Sequence, residues 1–169
     1  MLRPIVRFGD PVLQRPAAAV TVFDADLDRL IDDMVDTMYA APGVGLAAPQ
    51  VGVPLRVCVI DLSVGRKGGE LLTLINPEFL EREGMQLEDE GCLSVPGFTT
   101  TVARPARAVV RAHDRTGQVR TFDATGLLAR AFQHEIDHLD GLLFLDRLRG
   151  LKRDMIRRRI RKLQRTGKW

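Results

Sequence analysis

Two histidines spaced four residues apart constrain this chain more than any other feature. They lie in the run His134-Glu135-Ile136-Asp137-His138, and the chain contains only three histidines in all. On a helix, positions i and i+4 lie on one face, so both imidazoles can bind a single metal ion. The run therefore predicts a helix with two metal ligands. The alternative is an exposed helix with two unrelated histidines.

Glu135 gives this predicted helix a chemical role. A metal ion lowers the pKa of water, and a neighbouring glutamate can take the released proton to leave a nucleophile at neutral pH. Glu135 follows His134 directly and is in the right place for that task. The pattern therefore predicts a metal-dependent hydrolase.

A catalytic metal site needs a third protein ligand and an open coordination position. A thermolysin-type protease takes a glutamate downstream, but no glutamate follows Glu135 here. A metzincin takes a third histidine where this chain has Phe144. The third ligand must therefore come from upstream.

The upstream candidates for this ligand are Cys92, Cys58, His113 or a carboxylate. Cys58 lies among valines and isoleucines, which favours a role as a small core residue. His113 precedes a predicted turn, which favours an exposed position at a strand end. Cys92 lies in Glu90-Gly91-Cys92-Leu93-Ser94, which is predicted to be a polar, glycine-containing loop in which a thiolate can approach a metal.

The hydrophobic pattern predicts an α+β fold in which antiparallel strands pack around the central metal-binding helix. Helices are predicted near Asp10-Pro11, over 24–40, over 125–139 and, as a basic C-terminal helix, at about 148–165. Strands are predicted over 56–61, 71–75, 78–88 and 106–124, the last with a turn at 114–117. Residues 43–52 are predicted to be a loop. The chain shows no repeat or linker, which predicts a single catalytic domain over residues 1–169.

The composition narrows the class of protein further. Hydrophobic residues make up 45% of the chain and charged residues 28%, which is typical of a globular protein. The apolar runs are too short for a membrane span, and the N-terminus has no apolar signal segment. With only two cysteines, Cys58 and Cys92, a disulfide framework is not expected. These features predict a cytoplasmic protein with no membrane partner.

Basic residues are concentrated at the C-terminus. From Arg149 to Trp169 there are ten lysines and arginines against one aspartate, a net charge of +9, whereas the whole chain carries +3 and the remainder therefore −6. An apolar stripe runs through the same segment: Leu148, Leu151, Met155, Ile156, Ile160 and Leu163. The pattern is typical of a surface helix with a solvated charged face or of a binding element for phosphate-rich RNA. A membrane-surface helix is a less natural alternative, because the stripe lacks aromatic residues apart from Trp169.

Three segments together resemble the peptide deformylase family. They are Gly43-Val44-Gly45-Leu46-Ala47-Ala48-Pro49-Gln50, Glu90-Gly91-Cys92-Leu93-Ser94 and Gln133-His134-Glu135-Ile136-Asp137-His138-Leu139-Asp140-Gly141. Their order, their spacing and the chain length are similar to those of bacterial members. The resemblance covers nearly the whole chain.

The resemblance implies a metal centre and a reaction. Cys92, His134 and His138 would bind one divalent ion per chain, with Fe(II) expected in the cell and Zn(II), Ni(II) or Co(II) able to replace it. The reaction would be hydrolysis of the N-formyl group from the N-terminal formyl-methionine of new polypeptides, which releases formate. Glu135 would carry the proton. The Gln50 side chain and the Leu93 backbone N–H would stabilise the oxyanion.

The resemblance also implies where the substrate binds. Val44 and Gly45 would offer a strand edge to the peptide, and apolar side chains would surround the methionine. The substrate-binding residues implied are Gly43, Val44, Gly45, Glu90, Gly91, Leu127 and Ala131. Arg104 would pair with Glu90, and Gln133 would support the metal loop. Two residues depart from the family pattern: Thr99 stands where some members have an arginine, and Arg130 where others have an apolar residue lining the pocket.

The resemblance further implies a monomer whose basic tail, residues 149–169, docks on the ribosome. Two other functions remain open on the residues alone. One is a metallopeptidase that cuts internal peptide bonds. The other is a ribosome- or RNA-binding protein with a structural metal, which would want four protein ligands and leave Glu135 without a task.

Overall fold

The structure is a computed structural model that describes residues 1–169, and it confirms the predicted α+β class. The helices are α1 (Ala25–Ala40), α2 (Gly126–Leu139) and α3 (Leu151–Arg165). The strands are β1 (Gly45–Ala47), β2 (Val57–Ile60), β3 (Leu72–Glu83), β4 (Gln86–Cys92), β5 (Val95–Arg104), β6 (Arg107–His113) and β7 (Val119–Thr125). Short 3-10 helices cover Pro11–Gln14, Ala48–Val51 and Phe144–Arg147.

Five strands form one antiparallel sheet in the order β1-β2-β3-β6-β7, and β4 pairs with β5 separately. Strand β2 shows how the sheet divides the core. Cys58 and Ile60 belong to the hydrophobic cluster that includes α2, whereas Val57 and Val59 belong to the cluster that includes α1. Side chains alternate between the faces of a strand, so a strand covered on both faces is buried throughout. The sheet therefore lies between α1 and α2.

Helix α2 is buried along almost its whole length, from Ala129 to Leu139. Phe132, Ile136 and Leu139 pack into the cluster beneath the sheet. Fully burying side chains of this size contributes about 1.5–3 kcal/mol each. The other positions between 133 and 138 carry the polar residues Gln133, His134, Glu135, Asp137 and His138, which are also buried. Packing of the apolar side chains against the sheet therefore positions α2 so that its polar side chains are also buried inside the protein.

Helix α1 follows the predicted pattern. Its buried side chains include Leu27, Leu30, Ile31, Met34 and Met38, and the Asp24 side chain caps the helix by accepting a hydrogen bond from the Leu27 N–H. An aspartate at this position satisfies one of the N–H groups that have no partner within the helix. Thr125, the residue before α2, makes no such side-chain bond.

The strand predictions were right for the hairpin of β6 and β7 and wrong in the middle of the chain. Asn76-Pro77 does not end a strand, because β3 continues to Glu83 through an irregular register. Asn76 tolerates a positive φ of 51° there, and its side chain bonds to the Val20 backbone N–H and C=O. Strand β5 was not predicted, and Cys92 ends strand β4 rather than lying in a loop. The predicted loop 43–52 contains β1.

The basic helix was predicted at about 148–165 and begins at Leu151, after Gly150 with a φ of 64°. Only part of the expected apolar stripe packs inward. Ile160 is fully buried against a third cluster that contains Val95, Val102 and Phe144, whereas Leu151 and Met155 are largely exposed. The Trp169 indole N–H donates to the Phe8 carbonyl, which holds the residues after α3 against the N-terminal segment. None of the helices has the length and apolar composition that a membrane span requires.

Candidate active site

Three metal-ligand atoms converge between the end of β4 and helix α2. Cys92 Sγ lies 3.3 Å from His138 Nε2, which in turn lies 3.2 Å from His134 Nε2. All three donors lie within 4.8 Å of one another. Two ligands of a tetrahedral ion with bonds of about 2.0–2.3 Å are separated by about 3.3–3.6 Å. One thiolate and two imidazoles at these separations therefore fit a divalent transition-metal ion.

Glu90 on β4 holds the first histidine in place. The His134 Nδ1–H donates to Glu90 Oε2 over 2.7 Å, which leaves Nε2 facing the other two donors. A bond of this kind sets the tautomer and ring orientation of a metal-binding histidine. His138 differs, since its buried Nδ1 has no hydrogen-bond partner.

Arginines surround this carboxylate and the neighbouring Asp137. Arg104 donates to Glu90 through Nε at 2.8 Å and Nη2 at 2.6 Å, as expected, and reaches Asp137 through Nη1 at 2.9 Å. Burial alone would raise the pKa of Glu90, but the bonds from Arg104 and His134 outweigh it and hold that pKa well below its usual range. Arg147 holds Asp137 from the other side. The turn of α2 before His138 is thereby anchored.

Glu135 lies beside the metal ligands with a free carboxylate oxygen. It is only 4% exposed, its Oε2 has no hydrogen-bond partner, and its Oε1 is 4.0 Å from His134 Nε2. Burial raises the pKa of Glu135 to about 7. A carboxyl group with a pKa near neutrality can both accept and return a proton.

The close contact between the backbone at position 45 and the Glu135 side chain accounts for the glycine there. A β-carbon at position 45 would lie 2.6 Å from Glu135 Oε1, closer than real contacts allow. Gly43 is similar, because its β-carbon would lie 2.9 Å from Leu93 Cδ1. A side chain at either position would therefore force the Glu135 carboxylate or the Leu93 side chain to move.

Gln50 directs its amide toward the metal ligands. Its Oε1 accepts from the Ala47 N–H at 3.0 Å, which turns Nε2 toward Cys92 Sγ at 3.6 Å and Ser94 Oγ at 3.1 Å. The side chain is 1% exposed and so has little freedom to rotate. Ser94 was not singled out by the sequence, although it lies within the segment that contains Cys92.

The site opens into a cavity of about 530 Å³. Twelve of the residues proposed from the sequence line it: Gly43, Val44, Gly45, Gln50, Glu90, Gly91, Cys92, Leu93, Leu127, Ala131, His134 and Glu135. Leu127, Ala131 and His134 share one face of α2, as their spacing requires. The walls also include Val95, Pro96 and Phe98, which the sequence did not indicate because β5 was not predicted.

Gln133 does not support the metal loop as expected. Its Nε2 donates to the carbonyls of Pro105 and Ala129, both at 3.0 Å, and so ties α2 to the connection between β5 and β6. His113 is half-buried against Phe23 rather than exposed, and Cys58 is fully buried in the core. Neither joins the three converging donors.

The fold and the site together define a metal-dependent hydrolase: three converging ligands, an unpaired carboxylate and an amide donor surround one cavity. The sequence model of the polypeptide deformylase family matches residues 2–154. A peptide deformylase of Acidobacterium capsulatum is 54% identical over 169 residues, which cover 100% of this chain and 99% of the relative. One of Thermodesulfovibrio yellowstonii is 49% identical over 157 residues, or 93% and 95% of the two chains.

Solved structures agree with the sequence comparison. The crystal structure of a peptide deformylase from Legionella pneumophila superposes with a TM-score of 0.92 at 47% identity, covering 99% of this chain and 98% of that one. The peptide deformylase of Thermus thermophilus gives a TM-score of 0.89 at 42% identity, with 96% and 95% covered. The chain belongs to the peptide deformylase family.

Proposed function

We propose that this chain removes the N-formyl group of new polypeptides with Cys92, His134 and His138 as metal ligands and Glu135 as the proton carrier. The reaction follows from the family, whose members are hydrolases that act on formylated nascent chains. The assignment of residues depends on one observation. Three soft-leaning donor atoms converge beside a buried, unpaired carboxylate within a cavity.

The donor set would hold one divalent ion per chain. A bound ion supplies a Lewis acid that polarises the formyl carbonyl and makes water nucleophilic at neutral pH. One thiolate and two imidazoles suit iron and zinc alike, so the donors do not choose between them. By resemblance to the family we propose Fe(II) in the cell, with Zn(II), Ni(II) or Co(II) able to replace it. Metal analysis and formate release on the same anaerobic sample test this choice.

Glu135 carries the proton between the two halves of the reaction. Its carboxylate accepts a proton from the attacking water as the water oxygen bonds to the formyl carbon. It then gives that proton to the amine nitrogen as the carbon–nitrogen bond breaks, which releases formate and a free N-terminus. The pKa near 7 supports both steps.

Gln50 and Leu93 would stabilise the oxygen of the formyl group as it gains negative charge. The Gln50 amide is held by Ala47 with its N–H groups toward Cys92. Leu93 follows Cys92 in the chain and lines the same cavity. Donors fixed before the reaction stabilise developing charge without having to reorganise.

The peptide would bind along the outer edge of β1. This strand ends the five-stranded sheet, so its outer edge has no strand partner and is open to an extended peptide. Val44, Leu127 and Ala131 supply apolar surface in the cavity for the methionine side chain. Gly91 faces β5 closely, since a β-carbon there would lie 3.1 Å from Thr99 Cγ2.

The substitution Glu135→Gln tests the proposed function directly. The variant should keep its metal and its thermal stability but lose about 100- to 10,000-fold in kcat on formyl-Met-Ala-Ser, because it cannot accept a proton. Metal content, the melting temperature and formate release are measured on one preparation. Full activity with bound metal would rule out Glu135 as the proton carrier.

The basic tail would dock the enzyme on the ribosome. Arg158, Arg161 and Arg165 on α3 are exposed, whereas Ile160 holds the helix to the body. The triple variant R158E/R161E/R165E should lose salt-sensitive ribosome binding and keep its activity on short peptides. R29E/R66E/K67E, an equal charge change on exposed residues outside α3, should bind as the parent does. Equal binding by both variants would exclude docking through the tail.

We further propose a cytoplasmic monomer built as one domain.

A further inference from the structure

Arg130 is a basic residue on the wall of the active-site cavity. It lies on the face of α2 that also carries Leu127 and His134, at the spacing of one helical turn. Its side chain is only 4% exposed. A buried arginine is costly unless hydrogen bonds satisfy it, so its partners should reveal its role.

Each nitrogen of the Arg130 guanidinium has an acceptor. Nη1 donates to Glu90 Oε1 at 2.8 Å, Nη2 to the Val102 carbonyl at 2.8 Å and Nε to Gln86 Oε1 at 3.2 Å. These acceptors lie on β4 and β5. The side chain therefore ties the metal-binding helix to both strands of the hairpin that supplies Glu90 and Cys92.

Glu90 is thus held from two directions. Arg104 reaches it from β5, and Arg130 reaches it from α2, the helix that also carries His134. Arg104 is shared with Asp137, whereas Arg130 contacts no other carboxylate. With four N–H donors on its two oxygens, the Glu90 carboxylate is fixed in the orientation in which Oε2 accepts from His134.

We propose that Arg130 is a positioning residue. The aliphatic stem of its side chain forms part of the pocket wall, and its planar guanidinium fork holds Glu90 so that His134 stays oriented. This inference rests on the proposed function. The two parts act on different kinetic constants. Loss of the stem weakens substrate binding, whereas loss of the fork disturbs the metal ligand through Glu90.

The substitutions Arg130→Met and Arg130→Ala separate stem from fork. Met keeps an unbranched stem and removes the guanidinium, so kcat and Zn(II) affinity should each fall about 10-fold while KM stays within about twofold. Ala should show the same loss of kcat together with a raised KM. Arg107→Met is the matched control, since Arg107 clamps Glu81, Glu83 and Asp123 on the surface. It should leave all three constants unchanged.

Two further measurements exclude a merely structural effect. The melting temperature of the metal-free protein reports on the fold, and the visible absorption of the Co(II)-loaded protein reports on ligand geometry. In R130M the Co(II) spectrum should shift relative to the parent and to R107M. Wild-type kcat, Zn(II) affinity and spectrum in R130M would overturn the proposal, and so would a change confined to KM.

If R130M does not fold, Arg130→Lys decides the matter. Lysine keeps the stem and the charge but cannot bond three acceptors with one planar fork. Its kcat should fall at least threefold at unchanged KM, and a wild-type kcat would refute the role of the fork. Activity of the parent on formyl-Met-Ala-Ser, measured alongside, keeps a failure of this inference distinct from a failure of the proposed function.

Discussion

The substitution Gly45→Ala should damage catalysis through one added methyl group. That group would lie 2.6 Å from Glu135 Oε1, 2.9 Å from Cδ and 3.1 Å from Cγ. An ordinary contact is about 3.5 Å, so the carboxylate must move by roughly 0.9 Å. A misplacement of about 1 Å costs about 100-fold in rate. Because φ at Gly45 lies outside the left-handed region, alanine adds no backbone strain.

The assay compares kcat on formyl-Met-Ala-Ser with metal content and melting temperature for the same sample. We expect kcat to fall about 100-fold, with full metal content and little change in melting temperature. Gly68→Ala is the matched control, because a β-carbon there meets nothing within 4 Å. A G45A variant with kcat within twofold of the parent would refute the reasoning. A loss of activity that only follows a loss of metal or of folded protein would do the same.

Buried side chains at the site and beneath the tail should also be sensitive to truncation. Gln50→Ala should lower kcat about 100- to 1000-fold while metal content stays constant, as measured by formate release, because one proposed oxyanion donor is lost; an unchanged kcat would exclude that role. Ile160→Ala should lower the free energy of unfolding in urea by about 2–5 kcal/mol, because Ile160 is fully buried. An exposed change such as Leu151→Ala should cost far less, and equal losses would contradict the packing of α3.

Because Ile160 is buried, deletion of the whole tail is a poor test of ribosome docking. Deleting residues 150–169 would remove both the exposed arginines and the side chains that pack against Phe98 and Val95. Phe98 and Val95 also line the cavity. A deletion therefore mixes loss of ribosome binding with damage to the pocket wall, whereas charge reversal at exposed positions alters only the surface.

The sequence correctly predicted the features that depend on neighbouring residues within about one turn of a helix. The four-residue spacing of His134 and His138 predicted a helix with both imidazoles on one face, and α2 has that form. The apolar spacing in α1 likewise predicted its buried face. These patterns are local, since 3.6 residues per turn decide which side chains are neighbours. The strands between residues 76 and 104 were harder to predict from the sequence. Strand pairing there depends on register irregularities and on β5, a partner strand that was not predicted.

The sequence by itself determined a helical pair of histidines with an adjacent glutamate, the hydrophobic faces of α1 and α2, and a basic C-terminal segment. Only the tertiary structure decided that Cys92 meets His138, that Gly45 leaves room for Glu135, and that Arg130 holds Glu90. Cys92 and Gln50 approach each other across 42 residues of sequence, and Arg130 and Glu90 across 40. Such contacts depend on how α2 packs against the sheet and the hairpin, and no local periodicity encodes that packing.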